Sequence, residues 1–269
     1  MTETSYAGKV IVVTGASSGI GRALCLALAP ERPRLVLAAR DAERLEEVAK
    51  ECRAAGAEAL VVRTDVTSEA AARDLVARTV EAFGALDVLV NNAGISMRAR
   101  FDELVDLAVY ETLMRVNYLG CVYLTHSALP ALKKSRGQIV AVASLAGLTG
   151  VPTHTGYAAS KHAVFGFFDS LRIELLGTGV AVTIIAPDFV RSEIHRRAFG
   201  KDGQPTGQSA LQESKIMSAE ACARLMVGAM KKRQRLLITS WRGRFGRIFR
   251  VFFPGLIDRI TRKAMAEGK

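Results

Sequence analysis

Tyr157 and Lys161 stand four residues apart, about one turn if the segment is helical, so both side chains emerge on the same face. A free phenol titrates near pH ~10, too high for efficient proton exchange at neutral pH, and a neighbouring ammonium group lowers that pKa. The spacing therefore predicts that Tyr157 acts as a general acid or base. Taken alone, it is more often typical of a solvated helix face, so the other motifs decide between the two interpretations.

A glycine-rich segment, TGASSGIG, occupies residues 14–21 directly after an apolar run and opens a helical pattern. Gly15 permits a tight turn, Gly19 lets the backbone approach a pyrophosphate, and Gly21 allows close packing of helix against strand. The N-terminus of the helix offers free N–H groups to an anion. The segment therefore predicts a dinucleotide-binding site.

Seven short apolar runs, rich in Val, Ile and Leu, alternate with longer amphipathic segments. The runs are apolar on both faces, which is typical of strands buried between two helix layers. Right-handed crossovers between them predict an α/β fold of the Rossmann type, with a doubly wound, seven-stranded parallel sheet. The predicted strands are residues 9–14, 34–39, 58–63, 86–91, 137–144, 180–187 and 235–240.

The length of 269 residues fits one catalytic domain, which we place at residues 1–240, with a C-terminal extension at 241–269. Residues 188–217 break the alternation with scattered Gly, Pro and charge. They follow the C-terminal end of a strand, where open α/β sheets bind ligands, so we interpret them as a mobile flap over a substrate. The alternative is a plain surface insertion.

The glycine spacing G-x-x-x-G-x-G resembles that of the short-chain dehydrogenase/reductase family, and further motifs follow in the order of that family. The resemblance spans residues 8 to about 240, and it implies hydride transfer between a nicotinamide cofactor and a carbonyl or alcohol carbon. The matching residues are Asp65, Asn91-Asn92-Ala93-Gly94, Asn117, Ser144, Tyr157, Lys161 and Pro187.

The resemblance implies a catalytic set of Asn117, Ser144, Tyr157 and Lys161. In the reductive direction Tyr157 donates a proton to the developing alkoxide, and Ser144 holds that oxygen by a hydrogen bond. Lys161 also bonds the nicotinamide ribose, and Asn117 steadies a water that reconnects Lys161 to solvent. None of these roles requires a metal.

The resemblance also implies a cofactor-binding set. Asp65 and Val66 are expected to hold the adenine and Asn91 the adenosine ribose. The segment expected to hold the carboxamide departs from the family pattern, since Asp188 replaces a Gly and Ser192 a Thr, although a Ser hydroxyl can make the same bond. The whole set is Gly15, Ser17, Ser18, Gly19, Ile20, Gly21, Arg40, Asp65, Val66, Asn91, Ala93, Gly94, Tyr157, Lys161, Pro187, Val190 and Ser192.

The end of the second predicted strand favours NADP(H). Family members that use NAD usually carry an acidic residue at the position of Ala39, where it accepts a hydrogen bond from the ribose 2′-hydroxyl. Arg40 instead offers a planar cation to a 2′-phosphate. The alternative is that Arg40 merely caps the strand and pairs with Asp41.

The four histidines and four cysteines show no metal-ligand spacing and no C-x-x-C pair, so we predict neither a metal site nor a disulfide. His154 lies close to Tyr157 and could touch a substrate, although an ordinary loop histidine is the simpler interpretation. The other histidines are His126, His162 and His195, and the cysteines, expected to be buried thiols, are Cys25, Cys52, Cys121 and Cys222.

The basic charge is concentrated at the C-terminus, where residues 231–269 hold +10 of the formal net charge of +11. Apolar residues recur there every three or four positions, with arginines between them, so we predict a basic amphipathic segment. It could bind an anionic bilayer, or dock on the substrate mouth or a partner subunit; nucleic acid is disfavoured because no recognition motif accompanies the charge. The apolar positions are Trp241, Phe245, Ile248, Phe249, Phe252 and Leu256.

Location and assembly follow from weaker signals. No signal peptide and no apolar run near ~18 residues is evident, so we expect a cytoplasmic protein, or one peripheral on the inner membrane face. The helix after Tyr157 carries more apolar residues than one core-facing stripe needs, which predicts a homodimer or homotetramer. These residues are Val164, Phe165, Phe167, Phe168, Leu171 and Leu175.

Together these observations predict NADP(H)-dependent interconversion of a ketone or aldehyde and an alcohol on a largely apolar, steroid-, acyl- or lipid-like substrate. Basic, proline-containing tails occur in the 11β-hydroxysteroid-dehydrogenase-like branch of the family, whose members often handle lipophilic substrates. The alternatives are an oxidative alcohol dehydrogenase with the same residues, a non-catalytic NADP(H)-sensing protein, and a membrane-associated scaffold. The intact Ser144, Tyr157 and Lys161 argue against the last two.

Overall fold

Seven parallel strands form one sheet in the computed structural model, which describes residues 5–208 and 216–266. Their order is β3-β2-β1-β4-β5-β6-β7, so the direction of winding reverses between β1 and β4. The predicted doubly wound α/β fold is confirmed, and each strand lies within two residues of its predicted bounds. The strands are β1 Val10–Thr14, β2 Arg34–Ala39, β3 Glu58–Arg63, β4 Val88–Asn91, β5 Gln138–Val142, β6 Ala181–Ala186 and β7 Leu236–Ile238.

Helices cover both faces of the sheet. On one face α1, α2 and α7 pack against Ile11 and Val13, and on the other α3, α5 and α6 pack against Val10 and Val12. All four strand residues are essentially buried, which explains why the run is apolar on both faces. The helices are α1 Gly19–Leu28, α2 Ala42–Ala54, α3 Glu69–Phe83, α4 Ala108–Met114, α5 Gly120–Ser135, α6 Thr155–Glu174 and α7 Ala219–Lys231.

Side-chain caps fix where several helices begin, because each accepts a hydrogen bond from a backbone N–H that the helix leaves free. Asp41 accepts from the amide of Arg44 at the start of α2. Ser68 does the same for α3, and Ser218 for α7. The start of α1 differs, since Ser18 makes no side-chain cap there.

The apolar surplus of α6 is an internal surface. Of the six apolar residues whose surplus suggested a partner, five are buried in the protomer core and Phe167 is half-buried against it. The surplus therefore does not indicate a partner, and the oligomeric state stays a prediction. The buried five are Val164, Phe165, Phe168, Leu171 and Leu175. The sequence misled because α6 packs on the sheet and, at the same time, against the helical segment before α5. The exposed apolar side chains at the end of this helix are Ile173 and Leu176.

Two further helices, α8 Trp241–Phe252 and α9 Pro254–Ala266, form the C-terminal segment. Phe253, with φ of -133° and ψ of 60°, separates them, because its backbone leaves the helical conformation before Pro254. Gly243 packs against Leu145 and Ile238, where an added Cβ would lie 2.6 Å from a Leu145 methyl carbon. Among the described residues, no helix is both long and apolar enough to cross a bilayer.

Candidate active site

The glycine-rich segment forms a cradle between β1 and α1. Gly15 and Gly19 adopt φ of 65° and 54°, a left-handed conformation that favours glycine. At Gly21 an added Cβ would lie 2.3 Å from the carbonyl oxygen of Gly15, so no larger residue fits that helix contact. Because Ser18 places no side chain over the start of α1, the first N–H groups remain open to an anion. This geometry fits a pyrophosphate.

A cavity of about 1050 Å³ extends from this cradle to the C-terminal helices. It lies at the carboxyl ends of β1, β4 and β5, the position at which open α/β sheets bind ligands. Every predicted site residue lines it except Gly21, Asn91 and Asn117. Those that it brings together are Gly15, Ser17, Ser18, Gly19, Ile20, Arg40, Asp65, Val66, Ala93, Gly94, Ser144, Tyr157, Lys161, Pro187, Val190 and Ser192.

The cavity wall brings Ser144, Tyr157 and Lys161 together from two elements. Ser144 follows β5 and hydrogen-bonds Tyr157 of α6. Lys161, one turn further along α6, places Nζ 5.7 Å from the centroid of the Tyr157 ring. Its Nζ donates to the carbonyl oxygen of Val142 at 2.9 Å. The predicted placement of both side chains on one helix face is confirmed by this geometry.

Burial dominates the electrostatics of this pair. It raises the pKa of Tyr157, while the hydrogen bond with Ser144 acts in the opposite direction. It lowers the pKa of Lys161 to about 8, opposed by Cys121. The lowering of the Tyr157 pKa that we expected from Lys161 is not seen, because burial outweighs every other influence on the phenol. Tyr157 is therefore a neutral phenol, the proton-donating form, at neutral pH.

Asn117 lies behind the cavity wall in a π-helical turn, Arg115–Leu119, that joins α4 to α5. Its Oδ1 accepts from the amide of Ile95 at 2.8 Å, and its Nδ2 donates to the Ile95 carbonyl oxygen and to Ser160 Oγ. The side chain thus ties the loop after β4 to the residue beside Lys161. Single π turns often occur at functional sites, and nothing in the sequence pattern signals this one.

Asn91 and its neighbour differ in position. Asn91 at the end of β4 is buried and donates to Thr125 Oγ1, so its side chain does not face the cavity. Asn92 lines the cavity instead and donates to the carbonyl oxygen of Thr14. Contact between Asn91 and an adenosine ribose stays a prediction.

At the end of the cavity expected to hold the adenosine, the guanidinium of Arg40 makes no ion pair with any described residue. Asp41 accepts from the Arg44 amide and lies 3.6 Å from its Nε, so the alternative pairing of Asp41 with Arg40 does not occur. Arg40 is exposed and makes no ion pair with any described residue. Burial raises the pKa of Asp65, but hydrogen bonds from Thr67 and the charge of Arg40 lower it overall. Arg40 therefore lies near Asp65, with its guanidinium available to a ligand.

The start of the predicted flap shows how the chain accommodates Asp188 in place of a glycine. Its backbone φ is not positive, its carboxylate accepts from the amide of Phe189, and its own amide donates to Thr239. The part of this segment that lines the cavity lies within residues 188–197. Phe199 then attaches the segment to the loop after β4 by pairing with Met97. Residues 209–215 of this prediction lie outside the described residues.

The sequence predicted the flap as part of the cavity wall and left open whether the C-terminal segment docks there, but it did not indicate the turn after Ser144. Part of the wall comes from the 3₁₀ turn after Ser144 and from the flap, and part from α8 and α9, whose place in the fold depends on contacts between distant residues. His154 also belongs to this wall. The additional lining residues include Leu145, Leu148, Val151, His154, Phe189, Ile194, Gly243, Ile257 and Ile260.

Comparison with known proteins places this geometry in a wider group. Residues 9–202 match the short chain dehydrogenase family. The "Dehydrogenase/reductase SDR family protein 7-like" of Dictyostelium discoideum is 34% identical over 267 residues, or 97% of this chain and 83% of that protein. The "11-beta-hydroxysteroid dehydrogenase A" of Sesamum indicum is 36% identical over 262 residues, or 95% and 75%.

Solved structures agree. A short chain dehydrogenase/reductase from Burkholderia phymatum in complex with NAD superposes with a TM-score of 0.83 at 29% identity, covering 94% of this chain and 96% of that one. An alcohol dehydrogenase from Thermococcus sibiricus complexed with 5-hydroxy-NADP gives a TM-score of 0.74 at 27% identity, covering 86% and 95%.

Proposed function

This chain belongs to the short-chain dehydrogenase/reductase family, in its 11β-hydroxysteroid-dehydrogenase-like branch, and we propose that it uses NADP(H) to interconvert a ketone or aldehyde and an alcohol on a largely apolar substrate. The observation that carries the proposal is the convergence of Ser144, Tyr157 and Lys161 in the cavity that also contains the glycine-rich cradle. Residues for proton transfer and for anion binding thus face one space.

The residues of the chain divide the chemistry between them. A nicotinamide cofactor, when bound, would supply or accept the hydride. Tyr157, a neutral phenol, gives its proton to the carbonyl oxygen as that oxygen gains charge, and Ser144 stabilises the same oxygen by hydrogen bonding. Lys161 is held by the Val142 carbonyl oxygen and contacts the region of Gly94, where it can bond a ribose hydroxyl. In oxidation the same groups act in reverse.

The walls support an apolar substrate. Leu145, Leu148, Val151 and Ile194 line the cavity beyond the catalytic group, and apolar walls of this kind recognise substrates mainly by shape and burial. This is consistent with steroid-, acyl- or lipid-like carbonyl compounds. The neutral phenol of Tyr157 supplies the proton that reduction requires. An oxidative alcohol dehydrogenase, which uses the same residues in reverse, is the alternative.

Turnover measurements test the function directly. We expect NADPH oxidation, followed by its absorbance, with at least some members of a panel of bulky apolar ketones and aldehydes, and much slower oxidation with small polar carbonyls. A protein that binds NADPH tightly but oxidises it with no panel member would instead be a cofactor sensor, the non-catalytic alternative.

The C-terminal helices have two different faces. One face attaches to the fold through Gly243 and through Arg244, whose Nε donates to the Ile238 carbonyl oxygen at 3.0 Å. The other leaves large apolar side chains exposed, among them Trp241 at 68% and Phe252 at 71%. We propose that α8 and α9 both close the cavity rim and bind the surface of an anionic membrane, so that the protein is peripheral on the inner membrane face.

Deleting residues 241–269 separates these two roles. The full chain is expected to sediment with phosphatidylglycerol vesicles and to detach as salt rises, because added ions screen the arginines. The truncated chain should no longer sediment, and its KM for bulky apolar ketones should rise several-fold because part of the cavity wall is gone. If the full chain did not sediment with these vesicles at low salt, the membrane role would be contradicted. If the truncated chain kept the KM of the full chain, the role of α8 and α9 as part of the cavity wall would be contradicted.

We also propose that the protein is a homodimer or homotetramer. Members of the family commonly dimerise by packing the helices that correspond to α5 and α6 against those of a second subunit. The exposed apolar side chains of Ile173 and Leu176, at and just after the end of α6, also support the proposal. Light scattering at micromolar concentration is expected to give at least twice the monomer mass, and a monomeric mass would contradict the proposal.

A further inference from the structure

His154 lies in the cavity wall three residues before Tyr157, and the centroids of the two rings are 6.4 Å apart. The backbone before it is unusual, because Thr153 adopts φ of 65°, a conformation that β-branched residues rarely take. The turn is held by the Ala99 amide, which donates to the Thr153 carbonyl oxygen at 2.9 Å. The fold thus fixes the position of this ring beside the catalytic phenol.

The hydrogen bonds of His154 determine which ring nitrogen carries the proton. Nδ1 lies 3.0 Å from the carbonyl oxygen of Pro152 and 3.0 Å from Oγ1 of Thr153. A carbonyl oxygen only accepts, so we assign the ring proton to Nδ1, and the Thr153 hydroxyl then serves as a second acceptor. Burial lowers the pKa of His154, Arg98 and His195 lower it further, and the Pro152 contact opposes them. The ring is therefore neutral at neutral pH, and its Nε2 carries no proton.

The Nε2 of His154 is thus a hydrogen-bond acceptor without a donor among the described residues. The carbonyl oxygen of a substrate cannot fill this role, since it has no proton to give and already bonds Tyr157 and Ser144. An ammonium group is disfavoured by the positive charge of Arg98, which also lowers the pKa of His154. A neutral hydroxyl group is the donor that fits an otherwise largely apolar wall.

We propose that His154 accepts a hydrogen bond from a hydroxyl group of the substrate, which makes the preferred substrates apolar hydroxyketones and the corresponding diols. The proposal rests on the proposed function, which it narrows to a substrate class. Because the two rings are neighbours, the hydroxyl group lies only a few bonds from the reacting carbon. With an apolar side chain at this position the site would still bind the ketone, but it would not prefer hydroxylated substrates.

Matched substrates and variants test the proposal. We expect the wild type to reduce bulky apolar α- or β-hydroxyketones with kcat/KM at least about tenfold above that for deoxy ketones of the same skeleton. His154→Phe keeps a ring but removes the acceptor, so this ratio should fall to about one. His154→Gln, whose side-chain oxygen accepts, should restore part of it. His162→Phe, on the exposed side of α6, is the control and should keep the wild-type ratio.

The proposal would be overturned if His154→Phe left the ratio of the two kcat/KM values unchanged, including the case in which kcat/KM falls equally for the hydroxylated and the deoxy substrate.

A second measurement does not depend on turnover. In ¹⁵N-histidine-labelled protein saturated with NADP⁺, His154 Nε2 should resonate as an unprotonated nitrogen and should shift on addition of the diol but not of the deoxy alcohol. A protonated Nε2, or no shift with the diol, would reject the role of His154 even if reduction itself is observed. Absent turnover with a diol-induced shift would instead count against the proposed reaction alone.

Discussion

Replacing Tyr157 with Phe is expected to lower kcat/KM for every ketone or aldehyde substrate by about 10³-fold or more. The variant keeps the aromatic ring that packs beside Met97 and removes a single oxygen atom. That oxygen carries the proton which the substrate oxygen needs in the transition state, but it is not needed to hold the dinucleotide. The affinity for NADPH, measured by its fluorescence, should therefore change less than about threefold.

Tyr110→Phe provides a matched control for this change. Tyr110 lies on α4, and its hydroxyl group hydrogen-bonds Thr155 at the start of α6, but it does not line the cavity. Its loss should leave turnover within about twofold of the wild type. If Tyr157→Phe kept most of the wild-type rate, the proposed proton donor and the reaction class would both have to be abandoned.

The arrangement of the candidate catalytic residues was predictable because their geometry is local. Tyr157 and Lys161 share a helix, and a four-residue spacing fixes their common face wherever that helix lies. Gly15 and Gly21 belong to one strand-turn-helix unit, so their roles follow from a short segment. The strands were predictable for a similar reason, since a strand that is buried on both faces is a continuous apolar run in the sequence.

The features that escaped prediction depend on contacts between distant residues. The apolar surplus of α6 that suggested a partner is covered largely by the protein's own core, which no pattern within one helix reveals. The raised pKa of Tyr157 follows from the burial of its phenol in the fold, and the π turn at Asn117 follows from how α4 meets α5. His154 looked ordinary because its significance depends on the cavity that surrounds it.

The prediction of the cofactor preference rested partly on local residue types and partly on contacts that only the fold shows. Ala39 and Arg40 suggested NADP(H) from their residue types alone. Whether Arg40 forms an ion pair depended on Asp41. In the structure Asp41 caps α2 and pairs with Arg44 instead. A guanidinium with no ion-pair partner among the described residues breaks no ion pair when it meets a phosphate. This makes the residue the strongest candidate for discriminating between the two nicotinamide cofactors.

Arg40→Ala is accordingly expected to raise the Kd for NADPH about 10- to 100-fold, because a charge-assisted, bidentate contact with the 2′-phosphate is lost. The Kd for NADH should change less than about threefold, since NADH carries a hydroxyl group at that position. Calorimetric titration of both cofactors measures the two values. Arg22→Ala removes the same charge from a residue that is already paired with Glu51, so it should leave the cofactor preference unchanged. Equal affinities of the wild type for NADPH and NADH, or an Arg40→Ala variant that binds NADPH normally, would show that the 2′-phosphate is not recognised here.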